Sequence, residues 1–334
     1  MFKYKYKAYS DATFKELILS FPSELLALWA EKLGLKITGK KYEEILEGFM
    51  RNLDSISSVQ KKQLFNLYKN GIRPSSFIIE SDIISEKLLV NVIEGFKNFI
   101  KETAENPNSP IGNIKFIGLE LLNSRFLGVS DSYNDVELAK VFFTFVGKEV
   151  ETEQGVLPLK GYGIIVFRPL KNFLEVRCDD VKVVDRIVNF LSEKFGIRSS
   201  RIMLGDKTVK DILEWSSRVN LASIQLFEGP LHRHIMSTKK KRDLREVREF
   251  LEKLEHGKIT SLHMSVFTEE NYEIGFKLNP KLGRVSFTKI VSEYEIEQIL
   301  SAIFEIYRGK KVIEGSRHIA KRGKKYAKLD IFLR

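Results

Sequence analysis

The chain has 334 residues, of which 43% are apolar, so it is long enough for two or three compact units with hydrophobic cores. Its formal net charge of +11 favours a polyanionic partner such as DNA, RNA or an anionic membrane surface. The single cysteine, Cys178, excludes an intramolecular disulfide and a thiolate metal cage, and no apolar run is long enough for a membrane-spanning helix.

The first residues, MFKYKYKAYSDATF, are charged and aromatic, so we expect no secretory signal and a cytoplasmic protein. The chain is rich in Lys, Glu and Ile and has one Cys and five Met residues, a composition typical of thermophilic proteins. Neither feature bears on the fold, which is predicted from hydrophobic periodicity.

Residues 10 to about 104 show the helical spacing of apolar residues. Ser10 or Asp11 can cap the first helix, and Gly34 suits the left-handed residue that ends the second. Further helices are predicted over YEEILEGFMRNL, SSVQKKQLFNLYKNG and SEKLLVNVIEGFKNFIKETAE. The stretch 106–113 is rich in Asn, Pro, Ser and Gly, so we predict a domain boundary there and a helical domain over residues 1–106.

Beyond residue 113 the hydrophobic period changes from 3.6 to 2, which indicates strands. Strands are predicted over NIKFIGLELL, KVFFTFVGKEV, YGIIVFRP and FLEVRCD, followed by a helix over DVKVVDRIVNFLSEKFGI. Helices are also predicted over residues 206–227 and 240–256. Strands resume at TSLHMSVF, YEIGFKL and RVSFTKI, before a helix over SEYEIEQILSAIFEIYRG and a basic C-terminal hairpin.

These elements predict an α+β fold, in which an N-terminal helical bundle is followed by an antiparallel-sheet region with two strand–strand–strand–helix units. The first unit is placed in residues 107–230 and the second, with the basic hairpin, in residues 231–334. The order of elements is the same in residues 139–196 and 260–309. This order indicates either an internal duplication or the common arrangement in which a helix covers one face of an antiparallel meander.

The motifs of common catalytic sites are absent from the sequence. The chain has no G-x-x-x-x-G-K-[ST] loop, no G-x-S-x-G, no H-E-x-x-H and no Cys-x-x-Cys. His232 and His234 would point to the same side of a strand, where two imidazoles can bind a metal if a third ligand is supplied. The alternative is that both are surface or phosphate-contacting histidines, and we expect no metal or other cofactor.

The stretch FLEVRCDD places Glu175 and Arg177 on one face of a predicted strand, with Asp179 and Asp180 after it. Strand-borne acidic and basic residues of this kind occur in metal-dependent nucleases, which need several carboxylates around Mg²⁺. No upstream aspartate completes such a set. We therefore favour a solvent-facing salt bridge on an antiparallel sheet.

Positive charge is clustered in two stretches of the second half of the chain. The first begins at a predicted helix start and contains Lys239, Lys240, Lys241, Arg242 and, a turn further on, Arg245. The second lies in the C-terminal hairpin and contains Arg317, Lys321, Arg322, Lys324 and Lys325. Cations at a helix N-terminus oppose the macrodipole, so helix stability does not explain the first cluster. Both clusters suit a phosphate backbone, and the alternative is a solvated basic surface.

The stretch 21–53, FPSELLALWAEKLGLKITGKKYEEILEGFMRNL, resembles a SAP motif, the short helix–turn–helix of chromatin-associated and DNA-repair proteins. In that family an apolar helix ends in Gly-Leu, here Gly34-Leu35, and a turn of a small residue, Gly, a basic residue and Lys follows, here Thr38-Gly39-Lys40-Lys41. The resemblance implies DNA contact through this turn and the start of the next helix, where backbone N–H groups also suit a phosphate. Glu43 and Glu44 depart from the family's pattern, and a structural turn between packed helices is the alternative.

The order of elements along the whole chain is similar to that of the CENP-N family of kinetochore proteins. The similarity is carried by a helical N-terminal domain, two sheet–helix units and a final strand, and by no motif. It implies a non-catalytic protein that binds nucleosomal DNA through basic grooves. In that arrangement Lys40, Lys41 and the two later clusters would line one groove.

We therefore expect a non-catalytic, chromosome- or replicon-associated protein that contacts the phosphates of double-stranded DNA, and no membrane partner. Single-stranded DNA or RNA is the second choice within this class. The alternatives are a metal-dependent nuclease and an adaptor that binds a protein partner or a second copy of the chain. The adaptor would use the apolar stripe of the predicted helix 240–256, which contains Leu244, Val247, Leu251 and Leu254.

Overall fold

A computed structural model describes the chain in ten stretches: residues 9–37, 41–71, 74–105, 113–123, 128–129, 136–152, 155–227, 233–238, 242–268 and 272–310. The helices in these stretches are α1 (Asp11–Ile18), α2 (Ser23–Lys32), α3 (Tyr42–Arg51), α4 (Ser58–Tyr68), α5 (Glu86–Glu105), α6 (Val181–Phe195), α7 (Asp206–Trp215), α8 (Arg248–Glu255) and α9 (Glu293–Tyr307). The strands are β1 (Ser75–Ser81), β2 (Ile114–Asn123), β3 (Gly128–Val129), β4 (Leu138–Thr152), β5 (Gly155–Phe167), β6 (Phe173–Arg177), β7 (Ser199–Arg201), β8 (Arg218–Leu226), β9 (His234–Ser237), β10 (Gly257–Phe267), β11 (Glu273–Asn279) and β12 (Arg284–Phe287).

The predicted α+β class is confirmed, including both strand–strand–strand–helix units. The first consists of β4, β5, β6 and α6, and the second of β10, β11, β12 and α9. The chain forms two compact bodies, each discontinuous in sequence. Body 1 comprises the described parts of Ser75–Met203 with Leu282–Arg284, and body 2 comprises the described parts of Ala8–Pro74, Leu204–Lys281 and Val285–Arg334. The domain boundaries at residues 106 and 230 stay predictions.

Body 1 contains an antiparallel sheet whose core lies between the strands and the helices α5 and α6. The strand order is β3-β2-β4-β5-β6-β1, and β7 also pairs with β1. In β1 and β6, Phe77 lies opposite Val176, and both side chains belong to this core. Aromatic rings fill its centre: the Phe96 and Phe116 centroids are 4.8 Å apart in an edge-to-face contact, and Phe190 lies 5.5 Å from Phe116.

Body 2 contains a second antiparallel arrangement of strands, in the order β12-β11-β10-β8-β9. The strands show period-2 burial: Ile274, Phe276 and Leu278 of β11 are buried, whereas the residues between them are partly exposed. Trp215 of α7 contacts Phe276 with ring centroids 6.3 Å apart, so α7 covers the apolar face. The opposite face of these strands is polar.

The N-terminal helices also belong to body 2, where α4 packs against α9. Trp29 of α2 donates a hydrogen bond from Nε1 to the hydroxyl of Tyr68 in α4 at 3.1 Å. The ring of Phe21, which lies between α1 and α2, is 4.9 Å from that of Tyr68. Tyr68 of α4 therefore contacts both α2 and the segment that precedes α2. The burial of amphipathic faces, rather than helix propensity, holds helices of 8 to 11 residues in place.

The prediction that residues 10 to 104 are all helical is wrong at β1. The strand SSFIIES is buried along nearly its whole length, so its apolar run shows neither helical nor alternating periodicity. The prediction of a helix over 206–227 is also wrong in its second half, because α7 ends at Trp215 and β8 begins at Arg218. The segment RVNLASIQL contains β-branched residues that pack well on a sheet.

The predicted long helix over 240–256 is shorter than expected. Leu244 lies in a 3₁₀ turn over Leu244–Glu246, Val247 has an extended backbone, and α8 begins at Arg248. Leu244 therefore does not share a helix with Leu251, and the proposed adaptor stripe is interrupted. Asp243 causes the interruption, because its side chain accepts from the backbone N–H of Arg245 and stabilises a turn.

Gly71 lies where two backbone segments of body 2 approach closely. Its carbonyl oxygen accepts a hydrogen bond from the Val291 N–H at 2.9 Å, and a Cβ at position 71 would lie 1.7 Å from the Val291 carbonyl oxygen. Gly71→Ala is expected to lower the free energy of unfolding by about 2–3 kcal/mol, because the backbone must shift. Urea unfolding measures the change. Gly205→Ala is the control, since its Cβ would meet nothing within 4 Å, and an equal loss in both variants would contradict the explanation.

Candidate nucleic-acid interface

The polar face of the strands in body 2 carries a cationic pocket. We call it the basic pocket and define it by its lining residues, Gln225, Arg233, Thr260, Ser261, Lys277 and Asn279. The pocket has a volume of about 480 Å³. Two of its six lining side chains are cationic and none is acidic, so its electrostatic character is that of an anion site.

Strand register explains how these side chains come together. Lys277 and Asn279 of β11 alternate with the buried Phe276 and Leu278, so they point away from α7. Ser261 of β10 lies opposite Ser223 of β8, and Ser223 lies opposite Ile235 of β9. With neighbouring strands about 4.8 Å apart, β11 and β9 are separated by about 14 Å, which sets the width of the polar face.

Hydrogen bonds from Arg233 and Thr260 to Ser223 organise the floor of the basic pocket. Arg233 donates from Nε to the Ser223 Oγ at 2.6 Å, a bond that does not use the Nη groups of the guanidinium. Thr260 donates to the carbonyl oxygen of Ser223 at 3.1 Å. Thr260 occupies the irregularity in the β8–β10 ladder between Ile259 and Ser261, and this bulge directs its side chain into the pocket.

Lys277 also affects His263, which lies directly opposite it on β10. Burial lowers the pKa of the His263 imidazole below its ordinary value, and the positive charge of Lys277 lowers it further. His263 is therefore neutral at pH 7 and adds hydrogen-bonding capacity beside the pocket without adding charge. The cations in the pocket lining remain Arg233 and Lys277. In the described part of the chain, neither of them has a carboxylate within ion-pair distance.

Of the residues that the sequence assigned to phosphate contact, three lie within the described stretches. Lys41 is exposed at the start of α3, and its backbone N–H donates to Glu44 Oε2 at 3.1 Å. Glu44 thus caps the start of α3. It is one of the two acidic residues at which this sequence differs from the SAP pattern. Arg242 is exposed and precedes the 3₁₀ turn instead of standing at a helix start. The others lie outside the described residues: Lys40, Lys239, Lys240, Lys241, Arg317, Lys321, Arg322, Lys324 and Lys325.

Arg245 is engaged within the fold. Its Nε and Nη2 donate to the Asp243 carboxylate, its Nη1 donates to the carbonyl oxygens of Leu213 and Ser216, and its Nη2 also donates to the carbonyl oxygen of Ser217. These contacts use its five N–H groups and satisfy carbonyls at the end of α7. Burial raises the pKa of the Asp243 carboxyl, but the hydrogen bonds from Arg245 outweigh it and hold that pKa below its ordinary value.

The predicted solvent-facing salt bridge of Glu175 is wrong, because Glu175 and its partners are buried in body 1. The Glu175 carboxylate accepts from Arg168 Nη2 at 2.8 Å and from Arg177 Nε at 2.6 Å, and it also accepts from the Ser76 hydroxyl. Asp180 instead caps α6 by accepting from the Lys182 N–H. Both oxygens of Glu175 are occupied, so the carboxylate on which the nuclease alternative rested is part of a buried ion cluster.

Of the two histidines in the predicted pair, His232 lies outside the described residues and His234 begins β9. Within the described stretches, no three His, Cys, Asp or Glu side chains converge as they would around a metal ion.

Neither Arg233 nor Lys277 was predicted as a binding residue, although the sequence pattern around Lys277 indicated its position. YEIGFKL was recognised as an alternating strand, and that alternation places Lys277 on the polar face. Arg233 gave no such signal, because it precedes β9, a strand of only four residues, and its position depends on the pairing of β9 with β8.

No protein-family model matches the chain, and no curated protein is significantly similar to it. None of the helices in the described stretches combines the length and the apolarity needed to cross a lipid bilayer. The function is therefore argued from the geometry of the basic pocket and the charge of the chain.

Proposed function

We propose that the protein binds DNA without catalysis, through contacts to the phosphate backbone, in a chromosome- or replicon-associated role. The observation that carries this proposal is the basic pocket, where Arg233 and Lys277 meet with four neutral polar side chains and no acid. Serine, threonine, asparagine and glutamine side chains are common donors to phosphate oxygens. The guanidinium and ammonium groups supply the charge.

Charge elsewhere supports the same partner. Two cations facing one pocket repel each other, and an anion that neutralises both removes this electrostatic cost. The chain as a whole carries +11, which attracts a polyanion at long range. The sequence clusters at Lys239–Arg242 and Arg317–Lys325, and the Lys40-Lys41 turn, are proposed as further phosphate contacts. Arg245 is left out of this set because its donors are used within the fold.

The contacts proposed here do not read base identity. Phosphate contacts position a protein on nucleic acid, whereas specificity requires hydrogen bonds to base edges. We therefore expect binding that tolerates changes in sequence and responds steeply to salt. Each phosphate neutralised contributes about −0.9 to the slope of log Kobs against log salt for duplex DNA, and about −0.7 for single strands.

A salt titration of binding tests the proposal. A fluorescent DNA strand of about 20 nucleotides and its duplex are each titrated with the full chain, and binding is followed by fluorescence anisotropy. The titrations are repeated at KCl concentrations from about 50 to about 300 mM, because log Kobs falls linearly with the logarithm of the salt concentration. The expected slope is about −1.4 or steeper for the single strand and about −1.8 or steeper for the duplex, since the pocket alone supplies two cations. A flat response with both ligands would overturn the proposal. Gel analysis of the same samples with Mg²⁺ checks that the DNA stays intact.

A further inference from the structure

We infer that the basic pocket takes single-stranded nucleic acid and that Phe227 stacks on one of its bases. This inference rests on the proposed function and specifies its ligand. Phe227 is 69% exposed, whereas the other aromatic side chains in the described part of the chain are buried or partly buried. An exposed large apolar ring beside a cationic pocket calls for a physical reason, because other aromatic side chains of this fold are packed inside.

The position of Phe227 ties it to the pocket. It follows the end of β8, two residues after the lining residue Gln225, and its backbone N–H donates to the His256 carbonyl oxygen at 3.2 Å. Lys258 of β10 lies directly opposite the lining residue Gln225 and is exposed, so a third cation lies beside the pocket. Lys258 and Phe227 therefore both lie near Gln225, where β8 ends and β10 begins.

Ile235 is a second exposed apolar side chain, two residues after the lining residue Arg233. It is 63% exposed and lies opposite Ser223, the residue to which Arg233 donates. The combination of phosphate-binding cations with exposed apolar surface fits a ligand that presents charge and flat apolar faces in alternation. A nucleotide strand has this character, since each residue contributes one phosphate and one base.

The geometry favours single strands over a duplex. In a duplex each base is stacked between its neighbours, so an aromatic side chain reaches a base face only after unstacking it. In a single strand the faces are available, and stacking on aromatic side chains tolerates every base. The polar face between β9 and β11, about 14 Å across, accommodates a short stretch of strand. The proposed contacts are made to phosphates and to a base, so they suit both single-stranded DNA and single-stranded RNA. The experiment below compares the two.

The test compares Phe227→Ala with the unaltered protein on three ligands: a dT strand of about 12 nucleotides, the matching U strand, and a duplex of the same length, a size within the usual range of single-strand sites. We expect the unaltered protein to bind the single strands more tightly than the duplex. We expect Phe227→Ala to weaken single-strand binding by about five- to a hundredfold and to leave duplex binding unchanged. Leu251→Ala, at another exposed apolar side chain of body 2, is the control and should change neither.

A second variant gives a direct readout of stacking. Phe227→Trp keeps an aromatic face, so it should retain single-strand affinity, and its indole fluorescence should be quenched on binding. The native tryptophans, Trp29 and Trp215, are buried and supply a constant background. Equal affinity for strand and duplex with no effect of Phe227→Ala would overturn this inference while leaving the proposed function standing. Loss of salt-dependent binding to every ligand would instead overturn the proposed function. The dT and U strands show which sugar is preferred.

Discussion

Reversing the two pocket cations together, in Arg233→Glu with Lys277→Glu, is expected to weaken nucleic-acid binding by at least about a hundredfold at moderate salt. Two phosphate contacts are lost and two repulsive charges are placed where the phosphates would lie, and each contact of this kind is worth about tenfold or more. The slope of log Kobs against log salt should become shallower by about 1.4 on a single strand and about 1.8 on a duplex. Anisotropy titrations at several salt concentrations measure both quantities.

The matched control for this variant changes the net charge by the same amount elsewhere in body 2. Arg248 is 93% exposed and pairs with Glu252, and Lys310 pairs with Glu305 at 2.9 Å. Arg248→Glu with Lys310→Glu should therefore weaken binding only through the smaller net charge. Equal losses in the two double variants would show that overall charge attracts the ligand and that the basic pocket does not bind it.

Glu175→Gln is expected to lower the free energy of unfolding by about 3–5 kcal/mol. The carboxylate lies between the buried guanidinium groups of Arg168 and Arg177, and removing it leaves two cations without their shared counter-charge inside the protein. A glutamine has nearly the same shape, so the loss would come from charge and hydrogen bonding instead of from a cavity. Urea unfolding followed by circular dichroism measures the shift in midpoint.

An exposed pair provides the comparison for Glu175. Glu252→Gln removes the partner of Arg248, where solvent screens both charges, and its effect should stay below about 0.5 kcal/mol. A loss below about 1 kcal/mol for Glu175→Gln would contradict the assigned role of the buried cluster. That outcome would mean that other groups around the two arginines offset their charge when the carboxylate is absent.

Most helices and strands could be predicted from the sequence, because only one face of each is buried and the apolar residues therefore recur at a regular spacing. β11 alternates buried and partly exposed residues along its length, and α6 has an apolar stripe with a glycine in the left-handed conformation at its C-terminus, Gly196. Where burial is two-sided or the element is short, the pattern disappears. β1 was assigned to a helical region for this reason, since its central residues are all buried.

The candidate site was less predictable than the fold. Cationic clusters in the sequence pointed to a polyanion, but the pocket residues Arg233 and Lys277 stand apart from those clusters and 44 residues from each other. Only the pairing of β8 with both β9 and β10 brings them to one surface. Arg245 shows the converse, because a residue inside a cationic run is used to satisfy carbonyl groups of the fold.

The buried cluster of Glu175 also bears on how body 1 selects its strand alignment. Arg177 of β6 lies opposite Ser76 of β1 on one side and opposite Ile164 of β5 on the other. The charged residues of β6 therefore share one face of the sheet, while Phe77 and Val176 share the other face. A slip of one residue between these strands would turn Glu175 and Arg177 toward the aromatic core, where each charge would lack a partner. Apolar strands of similar size and shape have several misaligned pairings of comparable energy. Placing charged side chains on a single face makes those alternatives costly, so this cluster favours one alignment of the strands during folding.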